Sequence, residues 1–320
     1  MSGVTTSLSK RIEPLRQRLS ALAARPGAAR VPHTAGPTEV EARHPAPDVL
    51  ELRLVNGARR NVLGRHTIDR LEQLVEYAPA ATAVVLLSAD GPDFCAGYDL
   101  REAAAGEAAA LIAHEANFAP LRRSPRPVVA ALSGNVIGGG LELALAADVR
   151  IAARDTRFAV PACALGLVYS EAGTRLLVEE LGESTARAML LGGRALTAAE
   201  AFAMGLVSEV VEPAELQARA EEVAAQIAAW SPVATAGNRQ VLDTVTGRVT
   251  ADVAALRAAA FAPAGALSRS IAAFVARRQQ PAPLSRVEAA RRRSGELVRA
   301  GRLRGQALGK SLGRRLLPTL

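Results

Sequence analysis

Two glycine-containing segments hold the residues of this sequence that are best suited to chemistry. The first is 93–100, DFCAGYDL, and the second is 133–143, SGNVIGGGLEL; each follows an apolar run that predicts a buried strand. The second segment also opens a predicted helix, so side chains do not shield the N–H groups around its three consecutive glycines, 138–140. Such N–H groups stabilise an oxygen that gains negative charge during a reaction.

Glu142 stands in the first turn of the predicted helix, directly after the glycines. A carboxylate at this place favours the helix dipole, and it could also act as a general acid or base beside an oxyanion. Glycine clusters occur in α/β turns for close packing alone. The spacing therefore does not decide by itself between a structural turn and a catalytic one.

The pattern around these segments predicts an α/β body. Strands are predicted at 49–54, 83–87, 127–132 and 149–152, a helix is predicted from about Thr67 to Tyr77, and the chain from Glu171 onward is nearly all helical in pattern. Apolar strands that alternate with helices are typical of a sheet buried on both faces.

The two ends of the chain differ from this body. Residues 1–46 are predicted to be an N-terminal extension, in which an amphipathic helix over 8–22 precedes a linker over 25–47. Its acid-poor start also allows a transit peptide. Residues 281–320 form a basic tail, in which ten basic and two acidic residues account for the net charge of +8. No aromatic residues interleave these arginines, so nucleic-acid binding is not expected.

Composition limits the remaining classes of protein. The chain has 320 residues, 49% of them hydrophobic, which suffices for one large core. Its two cysteines are too few for a disulfide framework, so a cytoplasmic location is expected. No apolar run reaches the roughly 18 residues of a membrane span, and the histidines are too scattered to predict a metal site.

Both glycine segments resemble, in order and spacing, the paired oxyanion-hole signatures of the enoyl-CoA hydratase/isomerase (crotonase) family. Later blocks at 157–161, 165–174 and 191–207 extend the resemblance over about 48–280. It implies a crotonase-like ββα spiral core over 47–210 and a C-terminal helical trimerisation region over 211–280. The chain would form a homotrimer or hexamer, and its substrate would be an acyl-CoA thioester, with coenzyme A as part of the substrate and no separate cofactor.

The resemblance also implies roles for single residues. The backbone N–H groups of Tyr98 and Gly139 would be the oxyanion donors, and Glu142 would be the acid/base. The residues bordering coenzyme A would be Arg59, Arg60, Asn61, Ala96, Phe274 and Arg277.

One position departs from the family's pattern. Hydratases carry a second glutamate after the proline of the 157–161 turn, and that position is Ala162 here. Alanine can neither hold a proton nor orient a water, so two-glutamate hydration cannot operate in its usual form, and an isomerase is less favoured. Tyr169 and Glu171 are the candidate catalytic residues that could compensate.

Three functions stay open on these grounds. The first is a hydratase- or lyase-type enzyme that uses Glu142. The second is an acyl-CoA decarboxylase, because a tyrosine at 169 resembles the methylmalonyl-CoA decarboxylase pattern and could orient a carboxylated acyl group together with Glu142. The third is a non-catalytic crotonase-like subunit that binds acyl-CoA.

Overall fold

The computed structural model describes residues 36–100, 118–248, 251–255 and 257, all within one compact unit. The predicted helix at 8–22, the basic tail, Phe274 and Arg277 lie outside these residues. Among the described helices, none combines the length and the apolar character needed to cross a membrane.

Strands of this unit form two sheets. The strands are β1 (Glu39–Arg43), β2 (Val49–Val55), β3 (Val84–Ala89), β4 (Val128–Leu132), β5 (Asn135–Ile137), β6 (Val149–Ala153), β7 (Arg157–Ala159), β8 (Leu196–Thr197) and β9 (Glu209–Val211). The larger sheet has the order β1-β2-β3-β4-β6-β9, in which only the β1–β2 pair is antiparallel. The smaller sheet has the order β5-β7-β8.

Helices connect and cover the strands. They are α1 (Arg65–Glu76), α2 (Ala119–Arg123), α3 (Gly139–Leu145), α4 (Ala162–Leu165), α5 (Glu171–Leu181), α6 (Glu183–Leu190), α7 (Ala198–Ala203), α8 (Leu216–Ala228) and α9 (Pro232–Val245). The predicted α/β fold class is confirmed, and the predicted strands and first helix coincide with β2, β3, β4, β6 and α1 to within two residues.

One sequence-based boundary is wrong. Residues 25–47 were expected to form a linker, but β1 lies within that range and pairs along its whole length with β2. The reason is burial: Val40 and Thr38 are 6% and 1% exposed, and the Thr38 hydroxyl donates to the Val62 carbonyl at 2.7 Å. Residues 38–43 therefore pack against the described body and do not form a linker.

The larger sheet is buried on both faces, as its apolar strands predict. Val49, Leu86 and Val129 face a cluster that Ala220 and Ala224 of α8 complete. Their neighbours along the strands, such as Leu50, Leu87 and Ala130, face a larger cluster that includes helices α1, α3 and α5. Because side chains alternate across a strand, β2, β3, β4 and β6 each contribute to both clusters, and this packing fixes the positions of these strands.

The second glycine segment leaves this sheet at the end of β4. The chain turns at Gly134 into β5 of the smaller sheet, and Gly138 then leads into α3. Gly134 has a φ of +50°, and a Cβ added there would stand 2.1 Å from the Pro92 carbonyl oxygen. Only glycine fits this turn, because the backbone of the first glycine segment passes directly against it.

We expect Gly134→Ala to lower the free energy of unfolding by about 3 kcal/mol or more, because strain at positive φ adds to the overlap with Pro92. Gly237→Ala, inside α9, is the matched control: beyond its chain neighbours and its own helix backbone, no atom of the described residues lies within 4 Å of its added Cβ. It should raise stability by up to about 1 kcal/mol. Urea denaturation of both variants measures the difference, and equal midpoints would contradict the close approach.

Candidate active site

The two glycine segments run side by side. Cys95 and Val136 form a parallel bridge: the Cys95 N–H donates to the Asn135 carbonyl at 3.1 Å, and the Ile137 N–H donates to the Cys95 carbonyl at 3.0 Å. The segment 93–98 thus continues the edge of the smaller sheet beside β5. This pairing brings residues 97–98 alongside the start of α3.

A buried polar network holds this pairing in place. One carboxylate oxygen of Asp93 accepts from both the backbone N–H and the side-chain amide of Asn135, at 2.9 and 2.7 Å. The Asn61 amide donates to the Asp93 and Asp90 carbonyls, each at 2.8 Å. Asp93 and Asn61 are 4% and 0% exposed, and the Arg60 guanidinium lies 3.5 Å from the Asp93 carboxylate.

The residues predicted to carry the oxyanion donors lie next to one another. Gly97 has a φ of +97°, and a Cβ added there would lie 2.9 Å from the Ile137 carbonyl oxygen and 3.7 Å from the Gly139 nitrogen. Gly139 is the first residue of α3, so its N–H has no partner within that helix. Leu63 pairs with the Gly97 carbonyl and the Asp99 N–H, which turns the Tyr98 N–H away from Leu63.

The Tyr98 side chain reaches the predicted acid/base. Its ring covers Gly139, since a Cβ added at Gly139 would stand 2.6 to 2.8 Å from three ring carbons. Its hydroxyl donates to Glu142 Oε2 at 3.2 Å, and Glu142 is 1% exposed. The family resemblance implies a role only for the backbone of Tyr98. No spacing rule in the sequence indicates this side-chain contact.

The other oxygen of Glu142 faces the beginning of α5. A Cβ added at Gly173 would stand 2.9 Å from Glu142 Oε1, 2.7 Å from the Tyr169 ring and 3.0 Å from Ser170 Oγ. Ser170 is the N-cap of α5 and accepts from the Gly173 N–H at 3.0 Å. The structure therefore brings the candidate residue Tyr169 close to Glu142.

Glu171 and Ala162 provide no second carboxylate. The Glu171 side chain is 86% exposed and pairs with Arg175, one turn later on α5, at 2.8 Å. The expectation that Glu171 could act beside the buried Glu142 is corrected, because a first-turn residue on the outer face of α5 points into solvent. Ala162 begins α4 with its methyl group in the core.

Four of the residues expected to border coenzyme A lie together, although their side chains differ in access: Arg59, Arg60, Asn61 and Ala96. The Ala96 N–H donates to the Arg60 carbonyl at 2.9 Å. Arg59 forms a largely buried ion pair with Asp99, and Asn61 is fully buried in the Asp93 network. Arg60, with its side chain 41% exposed, is the guanidinium of this group that a ligand phosphate could reach.

Cys95 lies beneath the second glycine segment. A Cβ added at Gly140 would stand 2.5 Å from the Cys95 carbonyl oxygen and 2.9 Å from its sulfur. Complete burial raises the pKa of the Cys95 thiol to about 12. The thiol is therefore protonated at neutral pH and packs against glycine, which excludes it as a nucleophile. Cys163 is exposed.

The two glycine segments and Glu142 lie within a range that matches a known protein family. A family model described as "Enoyl-CoA hydratase/isomerase" matches residues 47–281. The chain belongs to the enoyl-CoA hydratase/isomerase family. The matched range contains both glycine segments, Glu142 and Tyr169, and its start at residue 47 leaves β1 before it.

Relatives within the enoyl-CoA hydratase/isomerase family cover most of the same range. The chain is 35% identical over 199 residues to the 2,3-dehydroadipyl-CoA hydratase of Escherichia coli K12, a match that covers 61% of this chain and 78% of that one. It is 37% identical over 166 residues to the carnitinyl-CoA dehydratase of Proteus mirabilis, which covers 51% of this chain and 64% of the dehydratase.

Solved structures of family members have the same fold. An enoyl-CoA hydratase/carnithine racemase from Magnetospirillum magneticum superposes with a TM-score of 0.68 at 27% identity, over 74% of this chain and 92% of that one. An enoyl-CoA hydratase from Bacillus anthracis superposes with a TM-score of 0.63 at 28% identity, over 68% and 86%. The predicted crotonase-like fold is confirmed.

We expect Asp93→Ala to lower the free energy of unfolding by about 3 kcal/mol, because it removes the buried carboxylate that accepts from Asn135 and faces Arg60. Asp69→Ala is the control, since Asp69 forms a half-exposed ion pair with Arg65 and should cost less than about 1 kcal/mol. Urea denaturation compares the two variants. A small effect of Asp93→Ala would mean that the network does not hold the segments.

Thiol labelling tests the environment of Cys95. At pH 8 the folded chain should react with iodoacetamide at Cys163 and be protected at Cys95, because burial excludes the reagent and keeps the Cys95 thiol protonated. Both cysteines should react in urea. Peptide mass spectrometry measures the labelling, and rapid labelling of Cys95 in the folded chain would contradict its burial.

Proposed function

We propose that this chain is an acyl-CoA lyase of the hydratase type. In this proposal the thioester oxygen of an enoyl-CoA accepts from the backbone N–H groups of Tyr98 and Gly139, and Glu142 is the acid/base. The observation that carries the proposal is the pairing of segment 93–98 with β5, which lines up Gly97, Tyr98 and Gly139 beside the buried Glu142 carboxylate.

The chemistry follows from charge development. When water adds to the β-carbon of an enoyl thioester, negative charge moves to the thioester oxygen and an enolate forms. Two fixed N–H donors at that oxygen would each contribute on the order of 3 kcal/mol to transition-state stabilisation. Glu142 would remove a proton from the attacking water, and a general base typically accelerates such a step about 100- to 10,000-fold.

The names of two relatives support water addition or removal. One is called a hydratase and the other a dehydratase, and both names refer to an acyl-CoA thioester. The proposal takes only the reaction type from these two relatives and does not assign their acyl groups to the substrate of this chain. Arg60, which is partly exposed and lies next to Ala96, would contact a phosphate of coenzyme A.

A second candidate function is decarboxylation. The Tyr169 ring and Glu142 Oε1 converge on Gly173, so both side chains could orient a carboxylated acyl group above the same oxyanion donors. Loss of CO2 from that group would generate the same enolate without water. This reaction needs no second proton-transfer group at Ala162, which is its advantage over hydration.

We also propose a homotrimer or hexamer in the cytoplasm. Large apolar side chains are exposed along α9, including Val233 at 52%, Leu242 at 65% and Val245 at 79%. Exposed apolar side chains of this kind favour burial against other parts of the protein or another subunit. Light scattering coupled to size exclusion measures the number of subunits.

Glu142→Gln tests the catalytic proposal. The amide keeps the size of the side chain and an acceptor for Tyr98, but it cannot take a proton, so we expect kcat for enoyl-CoA hydration to fall about 100- to 10,000-fold with little change in KM. Glu183→Gln is the control, because Glu183 is 68% exposed on α6. Its kcat should equal that of the unmodified chain.

The substrates decide between the functions. Purified chain is incubated with short-, medium- and long-chain trans-enoyl-CoA and with methylmalonyl-CoA, and products are followed by mass spectrometry. Hydrated product supports the first proposal, and CO2 release without hydration supports the decarboxylase. Binding of acyl-CoA without turnover, with an affinity that Glu142→Gln does not change, would contradict both catalytic proposals and support a non-catalytic acyl-CoA-binding subunit.

A further inference from the structure

Hydration needs two proton transfers, and the described site offers one carboxylate. One group must accept a proton from water, and another must deliver a proton to the α-carbon of the enolate. Glu142 can serve only one of these transfers at a time. Ala162 has no titratable group, and Glu171 points into solvent.

The Tyr98 hydroxyl is a titratable group placed beside Glu142. The hydroxyl lies 3.2 Å from Glu142 Oε2, and the ring of the same residue covers Gly139. Tyr98 is half-buried, whereas Glu142 is 1% exposed. The backbone of Tyr98 borders the proposed oxyanion position, and its hydroxyl reaches the carboxylate proposed as the acid/base.

Hydration needs this pair to start as a neutral phenol and an ionised acid. In that state the hydroxyl can donate to the carboxylate, and the two groups lie at hydrogen-bond distance. Free phenols of tyrosine titrate near pH ~10, so at neutral pH a tyrosine retains a proton that it can give to a carbanion. The carboxylate is then ready to take a proton from water.

We propose that the Tyr98 hydroxyl is the second proton-transfer group of the reaction, and that it replaces the carboxylate that Ala162 removes. This inference rests on the proposed hydratase function and adds a catalytic side chain to it. The backbone N–H of Tyr98 would stabilise the enolate, and its side chain would protonate that enolate.

Each proton has a place in the resulting cycle. Water oxygen bonds to the β-carbon of the enoyl thioester while one water proton passes to the Glu142 carboxylate, and the carbon–carbon double bond becomes the enolate. The Tyr98 hydroxyl then gives its proton to the α-carbon. The proton on Glu142 returns along the hydrogen bond to the Tyr98 oxygen, so one water has been added and both side chains are restored.

Tyr169 is less suited to this role in the described structure. Its ring approaches Gly173 on the side of Glu142 Oε1, and Gly173 belongs to α5 rather than to the segment that carries the oxyanion donors. Tyr98 joins the donor backbone and the acid/base carboxylate in a single residue. We therefore assign the α-carbon proton to Tyr98.

Tyr98→Phe separates the side chain from the backbone. The variant keeps the backbone N–H and the ring over Gly139 and loses only the hydroxyl, so kcat for the trans-enoyl-CoA that the unmodified chain hydrates fastest should fall at least about 100-fold, with KM changed less than about threefold. Tyr77→Phe removes the same atom from a side chain that is 77% exposed and should leave both constants unchanged. Circular dichroism and the melting temperature verify folding.

A second measurement separates proton transfer from positioning of Glu142. Fluorotyrosine introduced at position 98 keeps the hydrogen bond but has a more acidic phenol, so the alkaline limb of the kcat–pH profile should move to lower pH. A limb that does not move, or an unreduced kcat in Tyr98→Phe, would overturn the role of Tyr98 while leaving the hydratase proposal standing. Absence of hydration by the unmodified chain with every trans-enoyl-CoA would overturn both.

Discussion

Main-chain pairing between residues 93–98 and β5 is the constraint on which the candidate site depends. Neither glycine segment is a site alone, because each contributes one of the two N–H groups proposed to bind the thioester oxygen. The bridge between Cys95 and Val136 sets their register, and the buried Asp93 carboxylate fixes Asn135 within it. A shift by one residue would exchange the inward and outward sides of the segment and separate Tyr98 from Gly139.

The glycines around the site are explained by what lies against them. The Tyr98 ring occupies the space of a side chain at Gly139, and Cys95 does so at Gly140. At Gly173, the free space admits both the Tyr169 ring and the Glu142 carboxylate. Three glycines from two helices thus make room for the polar and aromatic groups that surround one buried acid.

The surroundings of Glu142 differ on its two sides. Oε2 accepts from the Tyr98 hydroxyl on the segment that carries a proposed oxyanion donor, and Oε1 faces Gly173 at the start of α5. A buried carboxylate requires such polar neighbours, since an isolated charge in the core is strongly unfavourable. In the proposed hydration the substrate would meet Tyr98 beside Oε2, and in the proposed decarboxylation it would meet Tyr169 beside Oε1. The same fold is therefore compatible with either reaction.

Much of the protein was determined by local sequence pattern. Continuous apolar runs predicted β2, β3, β4 and β6, and the glycine segments with Glu142 predicted the candidate site and the family. The strand β1 was not predicted because it has no apolar run or regular alternation. Val40 is its one buried residue, and charged residues such as Glu41 and Arg43 are exposed. Only the tertiary structure shows three features of the site. These are the contact between the Tyr98 hydroxyl and Glu142, the buried hydrogen bonds between Asp93 and Asn135, and the outward direction of Glu171. Each of these depends on how segments more than 40 residues apart, or the two sides of one helix, are oriented, and residue type and spacing alone do not encode that orientation.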